Sequence, residues 1–175
     1  MESFSQLMAK LDPSMIVVTT AIDGERAGCL VGFHSQSSID PERYTVWLSK
    51  ANHTSRVAQL ASIFAVHFLA DDQHDLAAHF GTQSGDDVDK FAGLECESGR
   101  GGVPLLTACP NRFWGHKVAL LDEGGDHLCV VLDPVDADVR DSPAFRSLRL
   151  SDVDDLDASH DAEERNHPPT ERAAT

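Results

Sequence analysis

Apolar residues in this chain fall into short runs broken by glycine, proline and acidic pairs, a pattern that predicts many strands and few helices. Phe4, Leu7, Met8 and Leu11 recur at helical spacing, which predicts a short opening helix ended by Pro13. Met15 to Ala21 (MIVVTTA) is short and β-branched, hence a strand, and Asp23-Gly24 is a hairpin turn signal. Ala27 to His34 (AGCLVGFH) reads as the returning strand, and Tyr44 to Leu48 as a third, entered through Asp40-Pro41. A helix over Ser55 to Ser62, a strand over Ile63 to Leu69 and a helix from Gln73 to Phe80 follow. Gly81 to Ala108, rich in Gly, Asp and Ser, reads as a long loop with a turn or two of helix. Arg112 to Leu121 and His127 to Leu132 are two closing strands, joined through Glu123-Gly124-Gly125. A mainly β chain with short helices between its strands predicts a small antiparallel barrel.

The pattern stops near the C-terminus. Ser151 to Thr175 is acidic, poor in large apolar residues and carries Pro168-Pro169, which predicts a disordered tail, with a short acidic helix over 154–165 as the alternative. The domain is therefore placed at 1–145 and the acidic tail at 146–175.

With 175 residues, 41% of them hydrophobic, there is material for one domain with a core. No apolar run approaches the roughly 20 residues of a membrane span, and no basic patch precedes an apolar stretch at the N-terminus. The expected location is cytoplasmic. A net charge of −15 argues against a nucleic-acid partner and against docking on anionic lipid. It leaves room for a phosphate-bearing small molecule held by a local group of donors. Cys29, Cys96, Cys109 and Cys129 form no C-x-x-C pair and read as reduced thiols.

Three segments carry candidate chemistry. In Leu48 to Arg56 (LSKANHTSR) a strand gives way to a helix, and Lys50, His53 and Arg56 cluster in a chain with 14 Lys and Arg in all. Asn52, Thr54 and Ser55 are helix-capping types, and free amides at a helix start attract anions, so the segment reads as a phosphate site or as an ordinary capped helix with solvated charges. In Ala27 to Ser38 (AGCLVGFHSQSS), Gly28 and Gly32 weaken a strand unless something approaches its backbone. A flat ring read by main-chain groups is one such partner; a bulge or barrel corner is another. Gly125-Asp126-His127 places a histidine beside an acid that can fix its tautomer, poised for a substrate or merely ending a turn. No H-E-x-x-H, G-x-S-x-G or G-x-G-x-x-G motif occurs, so no metal site, nucleophile elbow or Rossmann domain is expected. Trp47 and Trp114 read as core or dimer interface.

Taken in order, the AGCLVGFHSQSSIDP, LSKANHTSR, FAVHFL, DLAAHF and GDH segments resemble the flavin reductase-like, FMN-binding split-barrel family over about residues 12–136. The resemblance implies an antiparallel split β-barrel, mainly β with short helices, that forms a homodimer with FMN or FAD near its subunit interface. It implies that the isoalloxazine ring lies on Gly28, Cys29, Leu30, Val31, Gly32 and Phe33 with Ser35 close by. It assigns the flavin phosphate to Ser49, Lys50, Asn52, His53 and Thr54, and places His127 beside flavin or nicotinamide as the catalytic candidate. The Asp86 to Phe91 loop, with DKF where the family often has Asp-Arg-Phe, would approach the site. The implied activity is NAD(P)H-dependent flavin reduction, with a partner monooxygenase as one destination of the reduced flavin. A non-catalytic flavin or haem binder, an electron carrier, and a deazaflavin-dependent oxidoreductase on the same barrel are the alternatives. The sequence departs from the family at Leu30-Val31-Gly32-Phe33-His34, which lacks the usual hydroxyls, at Glu42 in place of a proline, and at His67 in place of an asparagine.

Overall fold

The Asp23-Gly24 turn sets the first strand pairing. Both residues take positive φ (51° and 85°), as a two-residue hairpin matched to strand twist requires. The turn folds β1 (Ile16–Ile22) onto β2 (Glu25–Val31), with Ile22 opposite Glu25 and Ile16 opposite Val31. The structure, a computed structural model, describes residues 2–8, 10–140 and 145–156.

The other elements are α1 (Glu2–Met8), β3 (His34–Ile39), β4 (Glu42–Ser49), α2 (His53–Leu60), β5 (Ile63–Phe68) and α3 (His74–Thr82), then β6 (Cys96–Ser98), β7 (Pro104–Leu106), β8 (Arg112–Leu121) and β9 (His127–Asp138). Seven strands form one antiparallel sheet in the order β2-β1-β5-β8-β9-β4-β3, and β6 and β7 make a separate hairpin.

β1 is buried on both faces, which explains its unbroken apolar run. Ile16 and Val18 face a core built with Ala27, Cys29, Val31, Val46, Leu48, Phe64, Val66 and Leu132 and plugged by Val57 and Ala58 of α2. Met15 and Val17 face a second cluster with Leu69, Ala77 and Phe80 of the α3 side, Phe91, Leu106, Leu148 and Val153. Burying one such aliphatic side chain contributes about 1.5–3 kcal/mol, so the two clusters hold α2 and α3 against opposite faces of one strand.

Two expectations need correction. The sheet is mainly β and antiparallel as predicted, but β2 and β3 are its two edges with no ladder between them among the described residues, so it is not closed as a barrel. The stretch 146–156, expected to belong to a solvated tail, is partly packed. Leu148 and Val153 are buried, Ser14 bridges to Arg149 and Ala70 to Ser147, and a 3₁₀ turn spans Leu150–Val153. The few apolar residues of that acidic segment suffice because a preformed apolar groove receives them. Residues 157–175 lie outside the described residues, as does most of the alternative helix over 154–165.

The loop expected over 81–108 contains the β6–β7 hairpin, and β3 follows the returning strand in a stretch for which no element was expected. β3 is polar because it is an exposed edge. No helix among the described residues is long and apolar enough to cross a membrane.

Candidate functional site

β4 delivers the chain to the start of α2 through a tightly bonded corner. The Lys50 amide donates to the Asp126 carbonyl (2.8 Å) and the Asn52 amide to the Ser49 carbonyl (3.0 Å), while Ser49 Oγ accepts from the Ala51 amide (3.3 Å). Asn52 is the residue before the helix, in extended conformation, and its side chain caps nothing. Thr54 and Ser55 are buried beneath it. The Cys29 thiol sits against this helix start. Burial pushes its pKa up, and the charge of Lys90 and the Thr54 and Asn52 side chains act the other way.

Beside the helix start lies a cleft of about 400 Å³, walled by Gly24 to Gly28, His53 and the Gly85 to Phe91 loop. Side-chain bonds tie the loop to α2 through Asp86 and to β2 through Asp89. His53 faces a carboxylate with each ring nitrogen, Nδ1 to Asp86 (3.0 Å) and Nε2 to Glu25 (3.0 Å). Arg56, one helical turn on, also donates to Asp86. Arg56 first, and then His53, holds the Asp86 carboxyl below the usual carboxylate range. Arg26 pairs with Asp89 (2.9 Å) and lies over the Phe91 ring.

Lys90 differs from Arg56 and Arg26. Only 5% exposed, it donates to the Phe80 carbonyl (2.9 Å) and the Gly28 carbonyl (3.2 Å), and among the described residues no carboxylate lies within 4.0 Å of it. Burial lowers its pKa. A charge solvated by two carbonyls at a cleft wall lacks a counter-ion.

A second group gathers at the start of β9. His127 pairs with Ser49 across the β4–β9 ladder, and its Nδ1 lies 2.7 Å from Asp126. That bond lowers the pKa of Asp126. With Nδ1 engaged, Nε2 is the ring atom available to a bound molecule. Phe33, 60% exposed, leans on the His127 ring with centroids 5.2 Å apart. Lys50 is tied to Asp122 (2.7 Å).

The expected site residues thus divide. Gly28 and His53 line the cleft, with Cys29, Asn52 and Thr54 packed together behind it. Ser49, Lys50, Phe33 and His127 form the second group. Val31 and Leu30 send their side chains into opposite clusters, and Ser35 lies on β3 at the other edge of the sheet, its hydroxyl donating to the Gln36 carbonyl. Gly28 has a packing reason to be glycine: a Cβ there would meet the Phe80 ring at 2.9 Å and the Phe91 ring at 3.1 Å. At Gly32 a Cβ would meet only Met15, at an ordinary 3.4 Å. Glu25 and Arg26, on β2, carry no signal in the sequence, whereas the DKF triplet marks Lys90 and its loop as near the site.

The flavin reductase like domain profile matches residues 8–151. The chain belongs to that family. The ferric-chelate reductase (NAD(P)H) of Archaeoglobus fulgidus is 28% identical over 131 residues, 74% of this chain and 78% of that protein. The reductase subunit of a flavin-dependent monooxygenase of Rhodococcus jostii is 26% identical over 124 residues, 71% of this chain and 62% of that protein. Among solved structures, an NADH:FAD oxidoreductase of Streptomyces globisporus superposes with a TM-score of 0.75 at 21% identity, over 87% of this chain and 89% of that one. At that identity the likeness shows the shared fold of this family member. The family resemblance read from the ordered motifs is borne out.

Proposed function

We propose that this flavin reductase-family chain binds FMN or FAD and reduces it with NADH or NADPH. The observation that carries the reading is the cleft beside the uncapped start of α2, bordered by a buried lysine without a counter-ion. Its volume falls within the 300–1,000 Å³ or so of ordinary cofactor sites. Helix-start amides and a buried cation suit a phosphate group, so the donor set fits a flavin nucleotide. Asn52, His53 and Thr54 would hold the phosphate, and Phe33 would offer an apolar wall. Bound flavin supplies a hydride-accepting ring nitrogen. The protein's part is placement: Asp126 fixes the His127 ring so that Nε2 can donate to or accept from the amide of a nicotinamide. Hydride transfer needs no protein acid or base at the reacting atoms.

The reduced flavin would pass to a partner monooxygenase or to another acceptor; the Rhodococcus relative supports the first. A homodimer is supported by Phe33 and Ile39, exposed at 60% and 83%, on or beside the unpaired β3 edge. Pairing there would also complete the split barrel. Four free cysteines fit a cytoplasmic location.

The role of His127 is checked by His127→Ala. Flavin affinity should stay within about twofold while the anaerobic rate of flavin reduction by NADH falls at least tenfold or so, the usual scale for losing a positioning hydrogen bond. Reduction at the parental rate would show that the nicotinamide binds elsewhere.

A further inference from the structure

The donors suited to a phosphate at the start of α2 are already occupied by one of the protein's own carboxylates. Asp86 takes bonds from both His53 Nδ1 and Arg56, side chains on the first turn of the helix. Gly85 lies flat against the His53 ring, where an added Cβ would come within 3.0 Å of Cδ2, so the loop covers the imidazole. The cover is anchored from one side. Lys90 and Phe91 are buried, whereas Asp86 is 39% exposed at its side chain and Asp87 is exposed. Residues 84–87 can therefore move away without disturbing the core behind Phe91.

We propose that the Asp86 carboxylate holds the place of the flavin phosphate, so that flavin binding exchanges one anion for another on His53 and Arg56. This rests on the reading of the α2 cleft as the phosphate site. The exchange is favourable in direction: a phosphate monoester carries more charge than a carboxylate and three acceptor oxygens. The uncompensated Lys90 on the same cleft, an observation independent of the helix start, adds a charge that Asp86 does not reach. Glu25, the other carboxylate on His53, stays on its hairpin and keeps the ring oriented during the exchange. Asp86 thus lowers flavin affinity by competing for the donors of the phosphate.

The test compares FMN with riboflavin, which shares the ring and lacks the phosphate, by fluorescence titration of the parent protein and Asp86→Asn. The parent should bind FMN more tightly than riboflavin. The variant should bind FMN about tenfold more tightly than the parent does, the scale of one charge-assisted hydrogen bond regained, with riboflavin affinity unchanged. Unchanged or weaker FMN binding by the variant, or equal tightening of both ligands, would overturn the proposal while leaving the phosphate site in place. A parent protein that binds FMN and riboflavin equally well would instead remove the phosphate site, and the proposal with it.

Discussion

Gly115→Ala is expected to destabilise the protein by about 3 kcal/mol, the upper part of the range for overpacking, and to lower Tm by about 6–12 °C. A Cβ at Gly115 would stand 2.4 Å from the Asp133 carbonyl oxygen, 2.9 Å from its carbon and 3.1 Å from Pro134 Cα. All three are backbone atoms of β9, so no side-chain rotation relieves the clash. The register shifts here, Trp114 facing Asp136 and Gly115 facing Pro134, and the glycine permits the close approach at that bulge. Moving β9 away disturbs Leu132 and Val130, which supply the core beneath α2. Urea unfolding of parent and variant measures the loss. A value below about 1 kcal/mol would mean that the β8–β9 ribbon adjusts locally, against the packing described.

The second large effect is acid sensitivity centred on His67. Fully buried, it lies with Nδ1 3.1 Å from the Val17 carbonyl, and Nε2 accepts from the Leu106 amide (3.1 Å). The neutral ring with its proton on Nδ1 satisfies both neighbours, and burial pushes its pKa down to about 4. A folded-state pKa below the unfolded value of about 6.5 means that the unfolded chain takes up the proton first. Stability from this residue is complete above about pH 6.5 and is lost as pH falls towards 4. The full loss is about 3 kcal/mol, of which about 2 kcal/mol falls between pH 7 and pH 5. His67→Asn keeps a donor and an acceptor without a titrating group. It should unfold in urea with a difference between pH 7 and pH 5 smaller by about 2 kcal/mol. An equal difference in parent and variant would place the acid sensitivity elsewhere.

How much of this was legible in the sequence depended on whether the deciding contact was local. The Asp23-Gly24 turn, the β-branched run of β1 and the two long closing strands announce themselves within a few residues, and each stands in the structure. The edge strand β3, HSQSSI, has no alternation to betray it, because neither face is well buried. Gly28 shows the limit more sharply. A glycine in a strand says that something comes close, and only the rings of Phe80 and Phe91, more than fifty residues away, say what. His53 was visible as a polar side chain at a helix start, but Glu25 and Asp86, which hold it, come from a different hairpin and a different loop. In the acidic C-terminal stretch, Leu148 and Val153 are too few to raise the local hydropathy; they pack because the groove between α3 and β1 is already apolar.

Flavin binding and its reduction are read in one experiment by titrating the purified protein with FMN, following flavin fluorescence, and then adding NADH and NADPH without oxygen. Saturable binding is expected, followed by loss of the flavin absorbance near 450 nm, roughly where the free cofactor absorbs. Binding without bleaching by either nucleotide would contradict the reductase and leave a flavin carrier, and failure to bind either FMN or FAD would contradict the flavin site itself.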